Sequence, residues 1–275
     1  MVRSVGWKTI GLILLVHILA TTFINFVFFK LEIVRVIPNA TSGLINGTLV
    51  ANILMGAMIL PLLFYVGKLK LKDLALTPAA GFSEGGIFRG AIWTLAAIAI
   101  MHVAIVIACF ASGTTPTIIS GWLSFSAIPW IGNLLGQFFG NALYEEVLFR
   151  AFLLPQLLLA IKKKYRKWSW TKCFWLALIG SQLVFALIHI PNRLSLGAYT
   201  GVGSFIGDQL ALFILGCLLA SVFLLSRNIY AAIGIHAITN VPPLIIQNPI
   251  GGLQFTAYLT IGLIILYNRS KKPKN

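Results

Sequence analysis

The sequence predicts an all-α membrane protein, a polytopic bundle of about eight transmembrane helices forming one integral membrane domain over residues 1–275. Three observations predict it. The chain is 59% hydrophobic and 10% charged, with a mean hydropathy of +0.93, whereas ordinary soluble domains carry about 25% charged residues. Its apolar residues fall into separate runs, most of them near the ~20 residues that cross a bilayer. Its basic residues lie between those runs and at the chain ends, which is the positive-inside pattern. The net charge of +15 therefore reads as membrane topology, with the lipid bilayer as partner, and no nucleic acid is expected.

The first run, about 10–29, follows Arg3 and Lys8 as in a signal peptide, but it is too long and lacks a small-residue cleavage site, so a retained helix is expected. The second and third runs, about 44–67 and 87–110, are spans by length and hydropathy. The fourth, about 127–160, exceeds what a bilayer needs and is expected to tilt or project. The fifth, about 173–190, is short and is expected to end at Pro191, whose ring cannot continue the helical ladder. The sixth, seventh and eighth cover about 203–225, 229–247 and 251–267, the last two divided by the turn signal Asn248, Pro249, Gly251 and Gly252. Eight spans place 17 lysines and arginines on the side of both termini and three, Lys30, Arg35 and Arg193, on the other. That asymmetry predicts a multi-pass protein of the cell membrane with both termini in the cytoplasm. Cys109, Cys173 and Cys217 have no metal-ligand spacing and read as small core residues.

The six acidic residues are Glu32, Asp73, Glu84, Glu145, Glu146 and Asp208, so two stand side by side inside the fourth apolar run. A charge at the bilayer centre costs roughly 2.5–3.5 kcal/mol on insertion scales, and an ionisable group there marks a functional site by default. Neighbours on a helix point about 100° apart. Glu146 and Arg150, at i and i+4, are expected to pair. That leaves Glu145 as the free carboxylate and candidate general base. Two stripes of period four share the span. Gly132, Gly136 and Gly140 would let another helix backbone approach closely. Asn133, Gln137, Asn141 and Glu145 form a polar seam expected to face the bundle interior, as hydrogen-bonding glue or as the wall of a wet cavity.

His189 closes the fifth span, four residues after Phe185. His236 and Asn240 share one face of the seventh, where they could donate to a developing oxyanion or simply join two helices. His17 and His102 lie in spans without polar companions and read as structural, and Asp208 is left unassigned. No serine or cysteine stands at i±3 or i±4 from His189 or His236, so no nucleophile–histidine pair is indicated. Glu145, His189 and His236 would suffice as the three protein ligands of a zinc site. However, no H-E-x-x-H motif is present and the two histidines come from different helices, so no cofactor is expected and zinc is the alternative.

Glu145-Glu146-x-x-x-Arg150, then Phe185-x-x-x-His189, then His236-x-x-x-Asn240 resembles, in order and without departure, the motif set of the CPBP family. That family contains CAAX prenyl endopeptidases and bacteriocin-processing or self-immunity (Abi) proteins. The resemblance covers about residues 141–240, in a motif-bearing core of about 127–247. It implies a metal-independent intramembrane glutamic endopeptidase of eight helices. Glu145, assisted by His189, would activate water; His236 and Asn240 would form the oxyanion hole; Glu146 and Arg150 would support the site. It also implies a cavity opening towards the cytoplasm and membrane core. The implied substrate is a peptide or a membrane-associated protein, either prenylated or bacteriocin-like, and the residues do not choose between them. Two other classes stand beside the protease: a non-catalytic membrane immunity or scaffold protein, and a proton relay along the polar seam, although no inverted repeat supports the latter.

Overall fold

The computed structural model describes residues 3–76, 86–119 and 127–247, and the eighth predicted span and its preceding turn lie outside them. In chain order the helices are α1 (Trp7–Phe26), the short α2 (Ile33–Ala40), α3 (Gly47–Pro61), α4 (Ile87–Ala111), α5 (Ala127–Gly136), α6 (Ala142–Glu145), α7 (Leu154–Lys164), α8 (Trp170–Leu187), α9 (Ile190–Ser195), α10 (Val202–Ser226) and α11 (Ile229–Asn240). Among the described residues only an isolated bridge, Ile118 to Ile246, departs from helix and connecting chain. Five stretches are long and apolar enough to cross a membrane: Trp7–Lys30, Gly47–Val66, Ile87–Ala111, Trp170–Ser195 and Val202–Ser226. The all-α membrane bundle is thus the fold of the chain.

The fourth predicted span is one continuous helical run, residues 127–164, in which two π-helical segments, Gln137–Asn141 and Glu146–Leu153, flank α6. Such widened turns occur often at functional sites; here they bracket Glu145. The run outlasts the bundle. Val5 donates its backbone N–H to Gln156 Oε1 at 2.8 Å, so residues 157–164 continue past the start of α1. Of the two expectations for this over-long run, tilt or projection, it is the projecting helix that is seen.

Two spans differ from expectation, both because of proline. α8 stops at Leu187 and Pro191 sits in the first turn of α9, where its missing N–H costs nothing. Pro191 therefore starts a helix rather than ending one, and His189 occupies the bend between the two. α11 ends at Asn240, seven residues before the predicted limit. Pro242 and Pro243 follow, and they exclude helical geometry at the preceding residue and remove two donors.

Hydrogen bonds between elements define two ends. At one, Arg3 Nη1 donates to the Lys68 carbonyl at 3.2 Å, Tyr230 to the Leu76 carbonyl at 3.1 Å and Asn228 Nδ2 to the Gly86 carbonyl at 2.8 Å. Asn228 also caps α11 by accepting from Ala231 N–H at 3.1 Å, meeting one of the helix's orphan donors. At the other end, Asn46 Nδ2 donates to Asn133 Oδ1 at 2.9 Å and Asn192 Nδ2 to Asn25 Oδ1 at 2.8 Å. The helices alternate between these ends. The described basic residues of the 17-residue side all lie at the first, the basic end; Lys30, Arg35 and Arg193 lie at the second, the opposite end.

Lipid is as apolar as leucine, so helices here are held by close contact rather than by water expulsion. The glycine stripe provides it. A Cβ on Gly132 would collide with the Gly43 carbonyl, one on Gly136 would lie 2.7 Å from Asn46 Oδ1, and one on Gly140 3.3 Å from Leu49 Cα. α5 and the π segment after it thus rest on α3 and the turn before it. Gly90 and Gly234 do the same for α4 and α11, against Tyr230 and Thr94. Leu148, Phe149, Phe152 and Leu153 fill the bundle centre and are fully buried.

Candidate active site

A cavity of about 380 Å³ lies between α1, α3, the long helix, the α8–α9 bend, α10 and α11. Glu145, His189, His236 and Asn240 all line it, although they come from three separate parts of the chain. Glu145 is 7% exposed and sits between two imidazoles. Its Oε1 is 3.8 Å from His189 Nε2 and its Oε2 is 3.7 Å from His236 Nε2. Oε2 has no hydrogen-bond partner among the described residues.

The outer nitrogens of both rings are tied down. His189 Nδ1 is 2.7 Å from the Phe185 carbonyl, which can only accept, so Nδ1 carries the proton and Nε2 turns towards Glu145. This is the physical content of the Phe185-x-x-x-His189 spacing: the i→i+4 carbonyl at the end of α8 fixes the ring. His236 Nδ1 is 2.7 Å from Glu146 Oε1, and the carboxylate accepts. A neutral His236 therefore presents a bare Nε2 to the cavity; Nε2 donates only in the doubly protonated ring.

Glu146 faces away from the cavity, as expected for adjacent helical residues. It is fully buried, and its Oε1 also meets Arg150 Nη1 at 3.1 Å. Arg150, likewise fully buried, donates from Nη2 to the Gly216 carbonyl at 3.2 Å and lies 4.3 Å over the Phe185 ring. One guanidinium thus ties the long helix to α8 and α10 beneath the site, and the expected Glu146–Arg150 pair is formed.

The polar seam divides in two. Asn133 binds Asn46 and is interhelical glue. Gln137 Oε1 accepts from Asn240 Nδ2 at 2.9 Å and so holds the amide of the third motif. Asn141 lines the cavity. Gln137 was legible as part of the seam, but not its partner, because a period-four stripe says nothing of what lies opposite.

Several cavity residues lie outside the motifs. His17, expected to be structural, is buried in the wall, and its Nδ1 shares a 2.6 Å hydrogen bond with the Tyr144 hydroxyl. The sequence held a signal for it: His17, Thr21 and Asn25 recur every four residues along α1, and all three line the cavity. His102 is structural in the expected way. Its Nδ1 is 2.9 Å from the Ile98 carbonyl and its Nε2 accepts from Ile245 N–H at 3.1 Å. Asp208 is not in the cavity wall. It binds Arg193 Nε at 3.1 Å and the Tyr199 hydroxyl at 3.0 Å, and of these Arg193 lines the cavity. Desolvation first, and then the Asp208 hydrogen bond, push the Tyr199 hydroxyl above its ordinary value. Among the described residues no three His, Cys, Asp or Glu side chains are grouped to hold a metal ion.

Residues 127–242 match the protein-family model Type II CAAX prenyl endopeptidase Rce1-like. The matched stretch includes all three motifs and, within it, every residue from the polar seam to Asn240. The resemblance carried by those motifs is therefore to a family of peptide hydrolases within the CPBP group, and the chain is a multi-pass helical membrane protein similar to them. No curated protein and no solved structure matches the chain.

Proposed function

We propose that the chain is an intramembrane endopeptidase that hydrolyses a peptide bond with water activated at Glu145. The observation that carries this is a buried carboxylate between two imidazoles whose Nε2 atoms both face it, in a cavity of about 380 Å³. Glu145 takes one proton from the water as its oxygen bonds to the peptide carbon, and His189 Nε2 accepts a hydrogen bond that orients the water. The carbonyl oxygen becomes an oxyanion. Asn240 Nδ2 gives one N–H to Gln137 and has a second to offer it. His236 adds a donor from Nε2 when its ring is doubly protonated, its Nδ1–H being held by Glu146. Collapse of the intermediate breaks the C–N bond, and the proton on Glu145 passes to the departing amine. Glu146 and Arg150 position His236 and the long helix and touch no reacting atom.

The reading needs no metal. Its substrates are peptides or membrane-associated proteins, and prenylated proteins and bacteriocin-type peptides are the two classes that the family resemblance supports. Mass spectrometry of membrane peptides from cells carrying wild type or Glu145→Gln at matched levels tests it. New chain ends that vanish in Glu145→Gln are expected, and their sequences identify the substrate class. Identical peptide pools would overturn hydrolysis in favour of a non-catalytic partner. Retained cleavage in the presence of a strong zinc chelator is also expected; its loss would assign Glu145, His189 and His236 to a zinc site instead.

A further inference from the structure

We infer that the cavity opens on the extracytoplasmic face of the membrane, and that the peptides it cleaves are extracytoplasmic segments of exported or membrane-anchored chains. The inference rests on the hydrolase reading for its substrate, but not for its geometry.

The walls of the cavity run from the middle of the helices, where α10 gives Leu212 and Leu215, towards the opposite end. On α1 the lining begins at His17 and continues beyond the helix to Phe29; on α3 it runs from Thr48 to Met55; on α11 it is His236 and Asn240, the last turn. α9, which lies wholly at that end, adds Asn192 and Arg193. No residue of the basic end lines it. Exposure rises in the same direction: Phe29 is 38% exposed and Asn240 is exposed, whereas Glu145 is 7%. Towards the basic end the floor is shut. Glu146, Phe149, Arg150 and Phe152 each have no exposed surface.

The two ends differ in charge as membrane faces do. Around the turn from α7 to α8, Lys162, Lys164 and Lys172 lie over Trp170, Tyr165 and Trp168 at 5.5, 5.4 and 4.1 Å. Lysines among interfacial aromatics suit an anionic cytoplasmic leaflet. At the opposite end Arg193 is neutralised by Asp208 at 3.1 Å. The positive-inside rule thus puts the closed floor on the cytoplasmic side and the mouth outside. This reverses the cytoplasmic opening that the family resemblance implies. The mouth is lined by amides, Asn25, Asn52, Asn141 and Asn192, which offer both donors and acceptors to a neutral peptide backbone.

Cysteine accessibility in intact cells tests the direction. Thr48→Cys probes the cavity, Leu196→Cys the surface beside the mouth and Lys167→Cys the basic end, each in a chain with Cys109, Cys173 and Cys217 changed to alanine. A membrane-impermeant maleimide is expected to label Thr48→Cys and Leu196→Cys in intact cells, and Lys167→Cys only after permeabilisation. The reverse pattern, or equal labelling at both ends, overturns the inference; labelling at Leu196→Cys with Thr48→Cys silent overturns the opening. Should the alanine background fail to fold, the same variants are read in the native background against the parent chain, whose Cys109 and Cys173 are buried. The pattern is expected to be unchanged by Glu145→Gln, so loss of the hydrolase reading would leave it intact. Glu145-dependent chain ends are then expected in extracytoplasmic segments; ends confined to cytoplasmic segments overturn the substrate half.

Discussion

Glu146 and Arg150 lie on one side of the long helix in a sealed core, with no exposed surface, paired with each other and held by the His236 ring, the Phe185 ring and the Gly216 carbonyl. Glu145 lies on the other side, against a cavity where amides, hydroxyls and imidazoles are interleaved with apolar side chains such as Ile24, Met55 and Leu212. The two carboxylates are adjacent in sequence, and the rotation of one residue, about 100°, assigns them to different media. Burial with a matched cation turns a carboxylate into a strut. Burial beside a cavity, with no lysine or arginine paired to it among the described residues, leaves it available to a substrate or a water.

The sharpest way to break this contrast is to neutralise each carboxylate in turn. Glu145→Gln is expected to lower hydrolysis by at least 10²–10⁴-fold, the usual worth of a general base, with thermal unfolding in detergent little changed. Glu146→Gln should do the reverse in the first instance. It strands Arg150 without a counter-charge, and breaking one half of a buried pair costs about 3–5 kcal/mol. Unfolding temperature is the readout. Exchanging the whole pair, Glu146→Leu with Arg150→Met, should recover much of that stability, since a well-packed apolar pair is often as stable as a buried ionic one. Activity should not return, because His236 Nδ1 has lost its acceptor. If the double variant is active, Glu146 does not position His236.

Next in size is the oxyanion contribution. Asn240→Ala is expected to reduce kcat by about 10²–10³-fold, the usual effect of losing one such donor, with KM nearly unchanged. A rise in KM at constant kcat would make Asn240 a binding residue and leave His236 as the donor.

The regions differ in legibility as well as in chemistry. The dry side was readable from local spacing: Glu146 and Arg150 are i and i+4, and the pair forms at 3.1 Å. The glycine stripe was equally local, and it packs where a stripe of small residues should. The cavity was readable only in part. Period four placed Gln137, Asn141 and Glu145 on one face, and the motif order associated them with His189 and His236. What faces them is set by other helices. His17 has polar companions after all: Thr21 and Asn25 share its face of α1, and Tyr144, 127 residues away in the chain, binds its ring. The two π segments were invisible for a different reason. Each widens the helix by a fraction of a turn, and an apolar run carries no sequence mark of that. Pro191 and Pro242 misplaced two span limits because proline is equally at home in a first turn and beyond a last one.

The smallest effect separates glue from positioning within the seam itself. Asn133 and Gln137 are one turn apart, of similar chemistry, and each holds an amide of another element: Asn46, the cap of α3, and Asn240. Only the second touches the proposed reaction. One hydrogen bond is worth about 0.5–1.5 kcal/mol net, so Gln137→Ala should lower kcat by about 2- to 10-fold by freeing the Asn240 amide. Asn133→Ala should leave kcat alone and cost a similar amount of stability. Glu in place of Gln137 retains an acceptor for Asn240 Nδ2 and should restore most of the rate. If Gln137→Ala and Asn133→Ala behave alike in both assays, the seam is glue along its whole length and the Asn240 amide is fixed by the fold of α11.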